Sequence, residues 1–136
     1  MLDSEIQYYS PNKSKYILCL TPICLFTSLL TFYRQQYAIS SCEFCLYITS
    51  VIHWSNPSYG WKRNLDIFIS TVNIITHLYY IYISMCYMGF YCAIITLTSF
   101  YISLTYSSYI MHGIAWIFAC TGNIYLSSCL SNCLCY

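Results

Sequence analysis

Residues 65–104 form an almost uniformly apolar run of about 40 residues, which as one helix would measure roughly 60 Å, twice the hydrocarbon core of a bilayer. Such a run must fold back on itself, and the turn is expected near residues 84–89. The rest of the chain points the same way. Only 7% of its 136 residues are charged and 59% are hydrophobic, against about 25% charged in an average soluble domain. So few polar side chains cannot coat a soluble globule, and the length allows one domain. The net charge of +1 offers no clustered basic face. That excludes nucleic acid as a partner and leaves the lipid bilayer as the surrounding medium.

Other runs have the length of a membrane-crossing helix, which takes about 20 apolar residues. Residues 1–15 are polar, with Asp3, Glu5, Lys13 and Lys15, and read as a short extramembrane tail. YILCLTPICLFTSLLTFY (16–33) carries no charge and lacks a small-residue cleavage pattern, so it reads as a retained helix kinked at Pro22. RQQ (34–36) makes a tight turn, a second span covers 37–53, and a loop passes through Pro57 and Gly60. Helices over 65–83 and 86–104 fill the long run. TYSSY (105–109) is the next loop, and a last helix covers 110–130. The predicted fold is therefore all-α: a polytopic helical membrane protein of about five transmembrane helices with short loops. The runs lack strand alternation, which argues against a β-barrel. Lys13, Lys15, Lys62 and Arg63 fall on one side and Arg34 alone on the other. The amino terminus is accordingly expected to be cytoplasmic and the carboxy terminus outside. On that topology the sequon NKS at Asn12 stays unglycosylated.

Alternating helices bring the end of the second span and the starts of the third and fifth to one membrane face. Those places hold His53, Asp66 and His112, with Ser50 one turn before His53 and Thr49 nearly as close. Glu43, His77 and Asn123 stand on the same three helices about 16 Å deeper and make a second polar layer. Asp66, Ser70, Asn73 and His77 form a polar stripe along the third helix. Ionisable groups inside a membrane are costly and tend to face a bundle interior and a partner. Two layers on three helices thus point to a common interior. Two imidazoles and a carboxylate suit zinc with an open fourth position for water. Zinc would acidify that water and polarise a carbonyl, with Asp66 or Ser50 orienting the nucleophile or meeting the oxyanion. The alternative is helix glue. His53 and Asp66 then form an interfacial ion pair and His112 bonds to backbone, at roughly 0.6–2 kcal/mol per bond. Lys62 and Arg63 anchor the interface, neutralise Asp66 or attract anionic headgroups.

SVIH (50–53), Asp66 in RNLD and HGIAW (112–116) together resemble the membrane hydrolase superfamily of the alkaline ceramidases and the adiponectin-receptor-like proteins. That superfamily places Ser-x3-His late in its second helix, Asp early in its third and His-x3-His on its last, around one zinc. Here the spacing is Ser-x2-His, with Thr49 restoring the longer interval. Trp116 stands where a second histidine is expected, and about five helices replace the family's seven. The resemblance implies zinc as cofactor, with His53, Asp66 and His112 as ligands. It also implies Ser50 and Asp66 as catalytic groups acting on lipid amides or esters.

Most of the ten cysteines lie in apolar runs, where cysteine behaves as a small hydrophobe. CEFC (42–45) has metal-like spacing but no second pair nearby. CLSNCLC (129–135) can hold a disulfide if the carboxy terminus is outside, or a lipid if it is not. Gly113 and Gly122 suit close helix packing. Three functions stay open: a structural or interaction membrane protein, a zinc-dependent hydrolase, and a proton or ion pathway with Glu43 and His77 as its far station.

Overall fold

The computed structural model describes residues 11–57, 60–106 and 108–133. These form α1 (Pro11–Leu18), α2 (Pro22–Tyr33), α3 (Tyr37–Ser55), α4 (Trp61–Ser84), α5 (Tyr87–Tyr106) and α6 (Tyr109–Cys133), with no strand among the described residues. Four stretches are long and apolar enough to cross a membrane: Lys13–Tyr33, Trp61–Ser84, Tyr87–Tyr106 and Tyr109–Asn132. The 19-residue α3 is not one of them, because Ser40, Ser41, Glu43, Ser50 and His53 dilute its apolar character. At about 1.5 Å per residue it is still close to a membrane thickness.

The first long helix differs from the continuous one expected over 16–33. Residues 11–15, expected in the polar tail, already belong to α1, and residues 1–10 lie outside the described part of the chain. Proline fixes its own φ and has no N–H to give, so Pro11 suits the first turn of α1 and Pro22 that of α2. Between the two helices the chain tightens into three-residue turns, Leu20 N–H bonding Ile17 O at 2.9 Å and Thr21 N–H bonding Leu18 O at 3.3 Å. Thr21 Oγ1 also donates to Leu18 O at 2.8 Å. The break thus loses few backbone bonds.

Two turns end helices in the same way. After α2, Gln35 N–H bonds Phe32 O and Gln36 N–H bonds Thr31 O, both at 2.9 Å. After α4, Met85 N–H bonds Tyr82 O at 3.4 Å and Cys86 N–H bonds Ile81 O at 3.3 Å. This paired pattern is the Schellman motif, which needs a left-handed residue and ordinarily takes glycine. Gln35 (φ 61°) and Met85 (φ 51°) fill that position here. Gly60 is different, since its φ of 148° with ψ of −159° lies in a region open essentially to glycine alone. It starts α4 by accepting from Asn64 N–H at 3.1 Å. That helix therefore begins at Trp61, ahead of the expected start at residue 65, and carries Lys62 and Arg63 in its first turn.

Burial is inverted relative to a soluble bundle. The inner face of α4 holds Asp66, Asn73, His77 and Ile81, while Phe68 is 63% and Tyr82 77% exposed. α2 turns Cys24, Thr27, Ser28 and Thr31 inward and Phe26, Leu29 and Phe32 outward. In hydrocarbon an apolar exterior costs nothing, and small polar residues let helices approach closely. Ser28 Oγ donates to Ser40 O and Ser40 Oγ to Ser28 O, each at 2.9 Å, a reciprocal clasp between α2 and α3. A multi-pass membrane protein is the reading these surfaces require.

Candidate functional site

α3, α4 and α6 each contribute to two polar layers. In the first, Ser50 Oγ donates to Asp66 Oδ1 at 2.6 Å and Thr49 Oγ1 to the same oxygen at 3.3 Å. Both hydroxyls reach the carboxyl group from α3, so it is held from one side. His53 and His112 are buried beside them, yet the group in contact with both is an indole. The Trp54 ring makes edge contacts with His53 at 4.8 Å and with His112 at 4.9 Å between centroids. His112 Nδ1 lies 3.3 Å from Ser103 Oγ of α5, in hydrogen-bond contact, and its ring meets Phe100 at 5.4 Å. Ser50, Thr49 and Asp66 are thus brought together directly, and the two imidazoles are linked by their contacts with Trp54.

In the second layer Glu43 is 0% exposed. Asn123 Nδ2 of α6 donates to its Oε1, and His77 Nε2 of α4 lies 3.6 Å from the same oxygen. Glu43 Oε2 has no hydrogen-bond partner among the described residues. His77 Nδ1 lies 2.7 Å from Asn73 O. A carbonyl can only accept, so Nδ1 carries the hydrogen and Nε2 is left to face the carboxyl group.

Two cavities join the layers. One of about 80 Å³ is lined by Asp66, Ser70, Asn73, Thr96, His112 and Asn123 among others. The other, about 60 Å³, is lined by Asn73, His77, Thr96, Asn123 and their apolar neighbours. They share Asn73, Ile74, Thr96, Leu97, Ala119 and Asn123, so they adjoin. A buried water needs roughly 10–15 Å³, so each has space for several. The polar stripe of α4 lines this space from end to end. Beyond Glu43, Arg34 Nη1 donates to Ser127 Oγ at 3.1 Å and Ser128 Oγ at 3.0 Å, while Gln36 Nε2 donates to Ser127 O at 2.8 Å. The α2–α3 turn is thereby tied to the last turns of α6.

No family model, curated protein or solved structure matches this chain. The site must speak for itself.

Zinc does not fit the donor set as it stands. Among the described residues no group of three or more His, Cys, Asp or Glu side chains is arranged to hold a metal ion. Asp66 Oδ1 is already occupied by two hydroxyls, and the indole of Trp54 packs on both imidazoles. Trp116, where a further imidazole would be expected, packs with Cys24 and Cys120 and offers no ligand atom. No catalytic step is therefore derived through a metal. Of the CEFC pair, Cys42 contacts Thr76 Oγ1 at 3.7 Å and Cys45 is exposed. The Cys133 side chain and Cys135 lie outside the described residues.

Sequence reasoning missed Trp54 and Ser103. Trp54 had a signal, because it sits beside His53 at the same helix end. Ser103 had none, since nothing in the sequence sets it apart from Ser99 one turn before it.

Proposed function

We propose that this chain is a small multi-pass integral membrane protein of structural or interaction type, whose polar intramembrane cluster holds its helices together. The observation that carries this reading is the Glu43–Asn123–His77 cluster, in which three helices meet at one fully buried carboxyl group. Comparable cross-helix bonds recur at Ser50–Asp66, Ser28–Ser40 and Arg34–Ser127. Groups that bond one another across helices are what a packing device requires.

A second reading is favoured by the joined cavities: a proton pathway from Asp66 past Ser70 and Asn73 to the His77–Glu43 pair. Imidazole and carboxyl groups facing one another are proton carriers. Purified protein in liposomes loaded with a pH-sensitive dye separates the two. For the first reading, wild type and Glu43→Gln both leak protons no faster than protein-free liposomes, and the substitution lowers only the folded fraction. A potential-driven proton flux in wild type, abolished by Glu43→Gln, would replace it with the second. The zinc-dependent hydrolase of lipid amides or esters implied by the resemblance ranks third, because no three such ligands are grouped among the described residues.

The orientation belongs to the same proposal. Lys13, Lys15, Lys62 and Arg63 against Arg34 support a cytoplasmic amino terminus, with α3 as the fifth crossing. The native sequon is a poor reporter, since residue 12 lies within α1 immediately before the Lys13–Tyr33 span. An acceptor sequon in an added amino-terminal tail is expected to remain unglycosylated in eukaryotic membranes. A glycan there would invert the topology.

A further inference from the structure

The sulfurs of Cys86 and Cys129 stand 2.6 Å apart, closer together than to any role the polar layers give them. A disulfide bond measures about 2.05 Å and needs its two Cβ atoms only about 3.5–4.5 Å apart. Both residues are held on ordered backbone. Cys86 is bonded through its N–H to Ile81 O and through its carbonyl to Phe90 N–H at 3.0 Å, so it links the end of α4 to the start of α5. Cys129 lies within α6. Cys86 belongs to one hydrophobic cluster with Ile39, Ile81, Leu126 and Leu130, and Cys129 packs against it. A substantial movement of either helix is not needed to close the gap.

We infer that Cys86 and Cys129 are a disulfide-forming pair, a redox modification site that bolts the α4–α5 turn to the end of α6. The chemistry requires an oxidant of the disulfide class. Cys129 is half-buried and Cys86 buried, so the Cys129 thiolate attacks one sulfur of the oxidant and expels a thiolate. Cys86 then gives up its proton and attacks the Cys129 sulfur of the mixed disulfide, expelling the second thiolate. One protein S–S bond forms and the oxidant's S–S bond breaks. The two electrons and two protons of the protein thiols leave with the two small thiols. The pair lies at the end of the bundle that also holds the Arg34–Gln36 turn, because Ile39 and Leu130 pack in its cluster. That end must therefore face the oxidising compartment for the bond to form in a cell.

The test uses the full chain in its membrane, exposed to glutathione disulfide or to dithiothreitol. Protein is then denatured and its thiols are counted by the gel shift of a polyethylene-glycol maleimide. Oxidation is expected to lower the adduct number from ten to eight, with the loss reversed by dithiothreitol. Mass spectrometry of the unreduced digest is expected to find the Cys86 peptide joined to the Cys129 peptide. Cys86→Ser and Cys129→Ser should each abolish the oxidant-dependent loss. An unchanged count in the oxidised wild type would overturn the inference, and so would a linkage of Cys129 to Cys133 or Cys135. Both decisive readings are made on the wild-type protein, so neither depends on a variant folding.

Discussion

Replacement of Asn123 by alanine is expected to destabilise the bundle by about 2–3 kcal/mol, the largest loss among the polar-layer side chains. Asn123 Nδ2 supplies the hydrogen bond to Glu43 Oε1, while Oε2 has no partner among the described residues. Without the amide, a carboxyl group with no exposed surface keeps, among the described residues, only His77 Nε2 at 3.6 Å. The penalty therefore comes from stranding the partner more than from losing one bond. Removing both groups removes the problem, so Asn123→Leu with Glu43→Met should recover most of the stability. Reversible unfolding in mixed micelles, followed by helical circular dichroism, measures all of these. An Asn123→Ala protein as stable as wild type would mean that Glu43 does not depend on α6.

Gly122→Leu is expected to force α5 and α6 apart, at a cost of about 1–3 kcal/mol or more. A Cβ at Gly122 would lie 2.8 Å from the Cys92 Cβ and 3.9 Å from the Gly89 carbonyl oxygen. Both belong to the stem or backbone of α5 and cannot swing aside, so a whole helix must shift. Gly113 makes a useful contrast. A Cβ there meets Tyr16 Cε1 at 3.0 Å and Leu20 Cδ1 at 3.1 Å, the far ends of side chains that can rotate. Gly122→Ala should therefore be the more damaging of the two alanine substitutions, as read from the same micelle unfolding. Equal effects would show that α5 and α6 are not packed through Gly122.

Gly122 also bears on what was visible before the structure. Its suitability for close packing could be read from its place in an apolar helix, but not that Cys92 is what it packs against. The stripe of Asp66, Ser70, Asn73 and His77 was visible because helical period alone aligns those residues. Counting turns also put Glu43 and Asn123 at similar depth. Which atoms touch was a different matter: depth equally allowed His53, Asp66 and His112 to converge, and Trp54 instead packs on both imidazoles. The start of α4 was placed late because Lys62 and Arg63 were read as loop, when a first helical turn can carry them.

The amino-acid sequence by itself pointed to the medium, to most of the helices and to the polar faces of α3, α4 and α6. Hydrocarbon leaves a chain no way to satisfy its backbone over such apolar runs except within the run itself, and a polar residue in a helix marks the side that must find a partner. Only the tertiary structure decided which partner. The rotation and offset of one helix against the next are set by close contacts such as Ser28 with Ser40 and Gly122 with Cys92. A shift of a few ångströms there separates a carboxyl group joined to an amide from one joined to a metal. The same contacts bring Cys86 and Cys129 together across 43 residues, a separation at which local periodicity carries no information.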